Sequence, residues 1–159
     1  VADFTLDLKA KAVTLPVAAY AAGVTPRTFR GWLEGNALVL LVPRTASGAW
    51  LRVAPVDLVR LAVLGRLVQF GFRIAEAGAI VREHIDRQIE AVIMVGGDLE
   101  SKLRGLSLNV SHEPSGLAVS VTTIFGTRPA KHTTAVLSIA VGYLASEARK
   151  RVRERVGAE

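Results

Sequence analysis

Four residues in one short stretch have the types and spacing to read a nucleic acid: Thr25, Arg27, Thr28 and Arg30. A threonine before a proline is a helix start. The hydroxyl caps orphan N–H groups, and proline's fixed φ suits the first helical position. In a helix beginning at Thr25-Pro26, Arg27, Arg30, Gly31 and Glu34 share one face, while Phe29, Trp32 and Leu33 share another that packs inward. An outward face with two guanidiniums beside a glycine can approach a major groove closely and reach phosphates or guanine edges. The same face also suits an ordinary solvated helix.

The other chemistry is thin. Gly96-Gly97-Asp98 before a short helix could hold an anion at the helix N-terminus, but a two-glycine turn is far commoner. His84, His112 and His132 are scattered along the chain and form no ligand cluster, so zinc is not expected. Ser111, His112 and Glu113 are adjacent in sequence, and adjacency does not build a nucleophile, base and orienter. The absence of cysteine excludes disulfides, thiolate metal sites and thiol catalysis. The expectation is a chain that is not an enzyme, with no metal and no cofactor.

Composition leads toward a binding protein. Of the 159 residues, 50% are hydrophobic and 21% charged, too apolar for a disordered chain and enough for a packed core. Mean hydropathy is positive at +0.36. Even so, no run of 18 uncharged apolar residues exists; the longest stretch, Thr133–Ser146, is too short and is interrupted by Ser138 and Gly142. Val1–Ala12 carries Asp3 and Asp7 and no apolar run, so it does not read as a secretory leader. Twenty Lys and Arg against fourteen Asp and Glu give a net charge of +6, which favours a polyanionic partner.

The elements that must position Arg27 and Arg30 can be read outward from them. Thr14-Leu15-Pro16 opens a helix in which Leu15, Ala18 and Ala22 recur at helical spacing, and Gly23 stops it. The second helix ends at Gly35-Asn36, and the two form a helix-turn-helix. Ala37–Val42 reads as a strand, residues 44–49 as a turn, and Trp50–Val53 as the return strand, a hairpin with Arg44 and Arg52 near its ends. Pro55 opens a third helix with Asp57 in its first turn and a stripe of Leu58, Leu61, Leu64 and Val68. Gly71-Phe72 breaks it, and a fourth helix runs from about Ala75 to Arg87 or beyond with Ala77, Val81 and Ile85 aligned.

These segments, VAAYAAGVTPRTFRGWLEGN and RTASGAWLRVAPVDLVRLAVLGRLVQFGF, resemble the winged helix-turn-helix domain of MerR-type transcription regulators. The likeness lies in the GVTPRTFR turn and helix, the LRVAPVDLVRL passage from wing to helix, and the GF break. It covers Thr14 to about Arg87. It implies DNA contacts from Arg27, Thr28 and Arg30 on a recognition helix and from Arg44 and Arg52 on a wing. Gly31-Trp32 stands where the family has an aromatic pair, and Val53 where it has a tyrosine after the wing arginine. The family's long dimerising helix is not followed by a metal-binding loop, and without cysteine thiolate metal sensing is excluded.

The second part of the chain resembles no family. Ile89–Val95 is β-branched-rich and reads as a strand, and Asp98 caps a short helix to Arg104. Alternation predicts a strand at Leu106–Ser111 and its hairpin partner at Leu117–Thr122 across Pro114-Ser115-Gly116. A helix is expected over Thr133–Val156. Its basic end of Arg149, Lys150, Arg151, Arg153 and Arg155 suits phosphate contact or a solvated tail, and cations near a helix C-terminus favour the tail.

The expected fold is therefore α+β, an N-terminal winged helix-turn-helix at residues 14–87 followed by a small βαββα module at 88–159. The expected function is a sequence-specific double-stranded DNA-binding transcription regulator, cytoplasmic and nucleoid-associated. It would act as a homodimer through the second module, with no membrane attachment and an effector that the sequence does not name. Two alternatives stand beside it: a DNA-architectural, recombination or packaging accessory protein, and a protein–protein adaptor on the same fold.

Overall fold

A computed structural model describes residues 13–40, 52–95, 103, 105–113, 115–122 and 135–157. In chain order they form β1 (Val13–Thr14), α1 (Leu15–Ala22), α2 (Pro26–Glu34), β2 (Arg52–Val53) and α3 (Pro55–Gln69). Then come α4 (Ile74–Ile80), a π-helical stretch (Val81–Asp86) and α5 (Arg87–Val95), followed by β3 (Ser107–Glu113), β4 (Gly116–Thr122), β5 (Ala135–Ala140) and α6 (Val141–Val156). The architecture is α+β, with a two-stranded sheet β1-β2 and a three-stranded antiparallel sheet β4-β3-β5.

Three helices begin where proline allows. Pro16, Pro26 and Pro55 all sit in first turns, where an N–H has no helical partner to lose. α3 ends at Phe70-Gly71; Gly71 has φ +95 and takes the left-handed turn that stops the helix. α4 restarts with the Glu76 carboxylate accepting from the Arg73 backbone N–H at 3.2 Å.

Several expectations are corrected. Ile89–Val95 is helix, not strand: the fourth helix continues through the π-helical stretch into α5, burying Ile89 and leaving Glu90, Ala91 and Met94 outside. One-sided burial at that spacing is helical, and it outweighs β-branching in a short apolar run. The expected helix over Thr133–Val156 starts only at Val141. Ala135–Ala140 is a strand, fixed by antiparallel pairing with β3 in the register Ser107↔Ala140 to His112↔Ala135. Arg52–Val53 is a strand, but its partner is β1, with Val13↔Val53 and Thr14↔Arg52. Ala37–Leu40 carry no strand, and the rest of the expected hairpin, including Arg44, lies outside the described residues. Gly96-Gly97-Asp98, most of the expected helix after it, and His132 lie outside them too.

The hairpin β3–β4 forms as the alternation predicts, with Ser107↔Thr122 through Glu113↔Gly116 in register. A polar chain crosses all three strands: Ser138 Oγ donates to Asn109 Oδ1 at 2.6 Å, and Asn109 Nδ2 donates to Thr122 Oγ1 at 3.0 Å. Asn109 is buried, so these bonds meet a demand that an apolar neighbour would leave open.

One apolar cluster runs through the described residues. It joins Leu15, Ala18 and Ala19 of α1, Phe29 of α2, Leu58, Leu61 and Leu64 of α3, Ile85 of the π-helical stretch, Leu108 of β3 and Leu144, Ala148 and Val152 of α6. α6 packs against both α1 and α3. α6 therefore completes the core around α1 and α3, and the continuous helical run Ile74–Val95 crosses residue 87.

Candidate nucleic-acid interface

The turn between α1 and α2 is built by local chemistry. Gly23 adopts φ +73, and its N–H bonds back to the Ala19 and Tyr20 carbonyls. Val24 N donates to Ala19 O at 3.0 Å. Thr25 Oγ1 then accepts from the Thr28 N–H at 3.1 Å and lies 2.8 Å from the Thr28 hydroxyl. Thr25 and Thr28 thus fix the start of α2.

The faces of α2 divide as the spacing predicts. Phe29 is fully buried and Trp32 and Leu33 are half-buried, while Arg27, Arg30, Gly31 and Glu34 are exposed. A Cβ at Gly31 would meet nothing within 4 Å, so the space beside the arginines is open. Of the six expected contact residues, Thr25, Arg27, Thr28 and Arg30 come together on this one helix. Arg52 is exposed on β2, opposite Thr14.

The residues that hold α2 in place include one group that sequence reasoning passed over. Arg60 lies in the middle of α3 with its side chain 1% exposed. Its Nε and Nη2 grip both oxygens of Asp86 at 2.6 and 2.7 Å, and its Nη1 donates to Asp57 Oδ1 and to the Val39 carbonyl, both at 2.6 Å. Burial opposes the charge, but the hydrogen bonds and charges of Asp86 and Asp57 outweigh it and raise the guanidinium pKa further. The bidentate fork suits this site as an ammonium would not. One signal was present in the sequence: an Asp–Arg pair at i, i+3 inside the otherwise apolar stretch Pro55–Gly65.

That network clamps the segment leaving α2. Ala37 N bonds to Trp32 O at 2.9 Å, the Ala37 carbonyl accepts from Arg82 Nη1 at 3.3 Å, and Val39 is held by Arg60. Gly78 makes the approach possible, because a Cβ there would stand 2.4 Å from the Ala37 carbonyl oxygen.

On the other side, α6 closes on the end of α1. The Arg155 guanidinium lies 5.8 Å from the centroid of the Tyr20 ring. Arg151 Nη1 is 3.1 Å from where a Cβ on Gly23 would stand. Between α1, α3 and α6 is a cavity of about 270 Å³ lined by Arg66, Gln69, Tyr143, Glu147 and Arg151 over small residues of α1.

Little else gathers. Among the described residues no group of three or more His, Cys, Asp or Glu is placed to hold a metal ion, and no helix is long and apolar enough to cross a membrane. Ser111 Oγ donates to the Ala118 carbonyl at 3.5 Å. No family model matches the chain, and no curated protein matches it either.

Proposed function

We propose that the chain is a sequence-specific double-stranded DNA-binding transcription regulator of the MerR-like, winged helix-turn-helix kind. In this reading α2 enters the major groove, Arg27 and Arg30 reach guanine edges or phosphates, and Arg44 and Arg52 touch the flanking backbone from a wing. The observation that carries it is the exposed face of α2: two arginines on one helical turn with open space at Gly31 beside them. A helix fits the groove, and a guanidinium fork matches the acceptor pair on guanine. The clamp of Arg60 and Arg82 on the segment after α2 supports the reading, because base readout needs a helix held in fixed orientation. The protein acts as a homodimer on paired half-sites, in the cytoplasm at the nucleoid.

The test is selection from a random duplex library with the wild type and with Arg27→Ala/Arg30→Ala. The wild type alone is expected to enrich a motif, whose half-site spacing reports the dimer. Loss of Arg30 by itself should cost about 1–3 kcal/mol of discrimination at its base. Equal salt-sensitive binding by both proteins without a motif would replace the reading with an architectural role. No duplex binding by either would replace it with a protein–protein adaptor.

A further inference from the structure

We infer that Arg151 and Arg155 of α6 belong to the DNA-facing surface and contact backbone phosphates beside the start of α2. This inference rests on the DNA-binding reading above and extends it to the far end of the sequence. From the sequence the basic end of α6 reads as a solvated tail. The structure gives it a specific position: two arginines one turn apart both lie on the end of α1, Arg151 over Gly23 and Arg155 over Tyr20.

Gly23 is four residues before Arg27, a span of at most about 14 Å even if fully extended. Arg151 therefore sits within reach of the same few base pairs as α2. The balance of charge fits a polyanion, since residues 149–156 hold five basic side chains and one acidic one, Glu154. Tyr20 is 47% exposed, so the ring with Arg155 across it lies at the surface, open to a partner. A guanidinium held over a ring face keeps the N–H edge that grips a phosphate, and the ring limits the freedom lost when it does so. A tail that only complements the helix dipole needs neither contact.

The experiment is duplex affinity against salt for the full chain, wild type and Arg151→Gln/Arg155→Gln, on one DNA. Two lost phosphate contacts should reduce the salt slope by about 1.8. Between about 50 and 200 mM salt, the wild type should then lose on the order of tenfold more affinity than the variant. Arg151→Lys/Arg155→Lys should restore the slope, which a purely structural role does not predict. Should the glutamine pair fail to fold, Arg155→Gln alone, at the exposed helix end, should lower the slope by about 0.9. An unchanged slope in the folded variant overturns the inference and leaves the role of α2 standing. A reduced slope with no selected motif keeps the phosphate surface and overturns specific readout. A wild type that binds no duplex overturns both.

Discussion

The arginines of α2 and the arginine of α3 are the same residue type in similar helical settings, with opposite surroundings. Arg27 and Arg30 stand in solvent on a helix with a single buried side chain, Phe29. Arg60 stands in a helix buried from Pro55 through Gly65, with donors committed to Asp86, Asp57 and Val39. A guanidinium in water gains little by staying in one place, so it is available to a partner. One with its water removed must be fully paired, so it is fixed. Exposure and rigidity thus fall on different arginines, and the buried one holds the segment that follows the helix carrying the exposed pair.

The largest expected effect falls on the buried side of this comparison. Asp86→Ala leaves a desolvated guanidinium short of its principal partner and should destabilise the fold by about 3–5 kcal/mol in urea unfolding. A loss under about 1 kcal/mol would mean that water reaches Arg60 and would remove the contrast with α2. The pH dependence follows from the raised pKa of Arg60. Its contribution is complete below the unfolded-state value and disappears only as pH rises through the folded-state value, so mildly alkaline conditions should leave this part of the stability intact.

Next in size is Gly78→Ala. Its methyl would press on the Ala37 carbonyl, and backbone cannot swing away as a side-chain tip can. The expected cost is about 1–3 kcal/mol by thermal or urea unfolding, despite alanine's better helix propensity. A gain in stability would show that the segment after α2 is free to shift, contrary to the clamp described. The smallest effect belongs to the exposed side. Arg27→Ala/Arg30→Ala should change stability by no more than about 0.5 kcal/mol in the same assay. A larger loss would show that these arginines are structural and would break the comparison from its other end.

The sequence was most readable where structure is decided locally. Gly23, Thr25-Pro26 and Gly35-Asn36 mark the turn and the bounds of α2 because capping and φ preferences act within a few residues. The β3–β4 hairpin was legible for the same reason: strict alternation on both sides of a Pro-Ser-Gly turn. Distant pairing was not legible. Nothing in Ala135–Ala140 separates a strand from a first helical turn until β3 lies beside it, and nothing in Val13–Thr14 announces β2 as a partner 38 to 40 residues away in register. Ile89–Val95 differs in kind: its β-branched residues favour a strand locally, and the helix already running into it overrides them. For the site, the outward face of α2 followed from spacing alone. Arg60 did not, because its carboxylate partner on a later helix and its carbonyl partner after α2 converge only in three dimensions.

The docking of α6 on α1 and α3 sets an order in time. At about 5–20 residues per second of synthesis, α1 emerges roughly 6–25 s before α6, which lies about 120 residues later. During that interval the apolar side of α1, with Ala18 and Ala19, has no permanent cover from α6, and a nascent chain that already displays α2 is not yet the finished protein. A chain halted before Val141 would carry α2 on an incomplete core. Folding of α1 and α2 is thereby tied to synthesis of α6, and products truncated before it should be drawn to proteolysis.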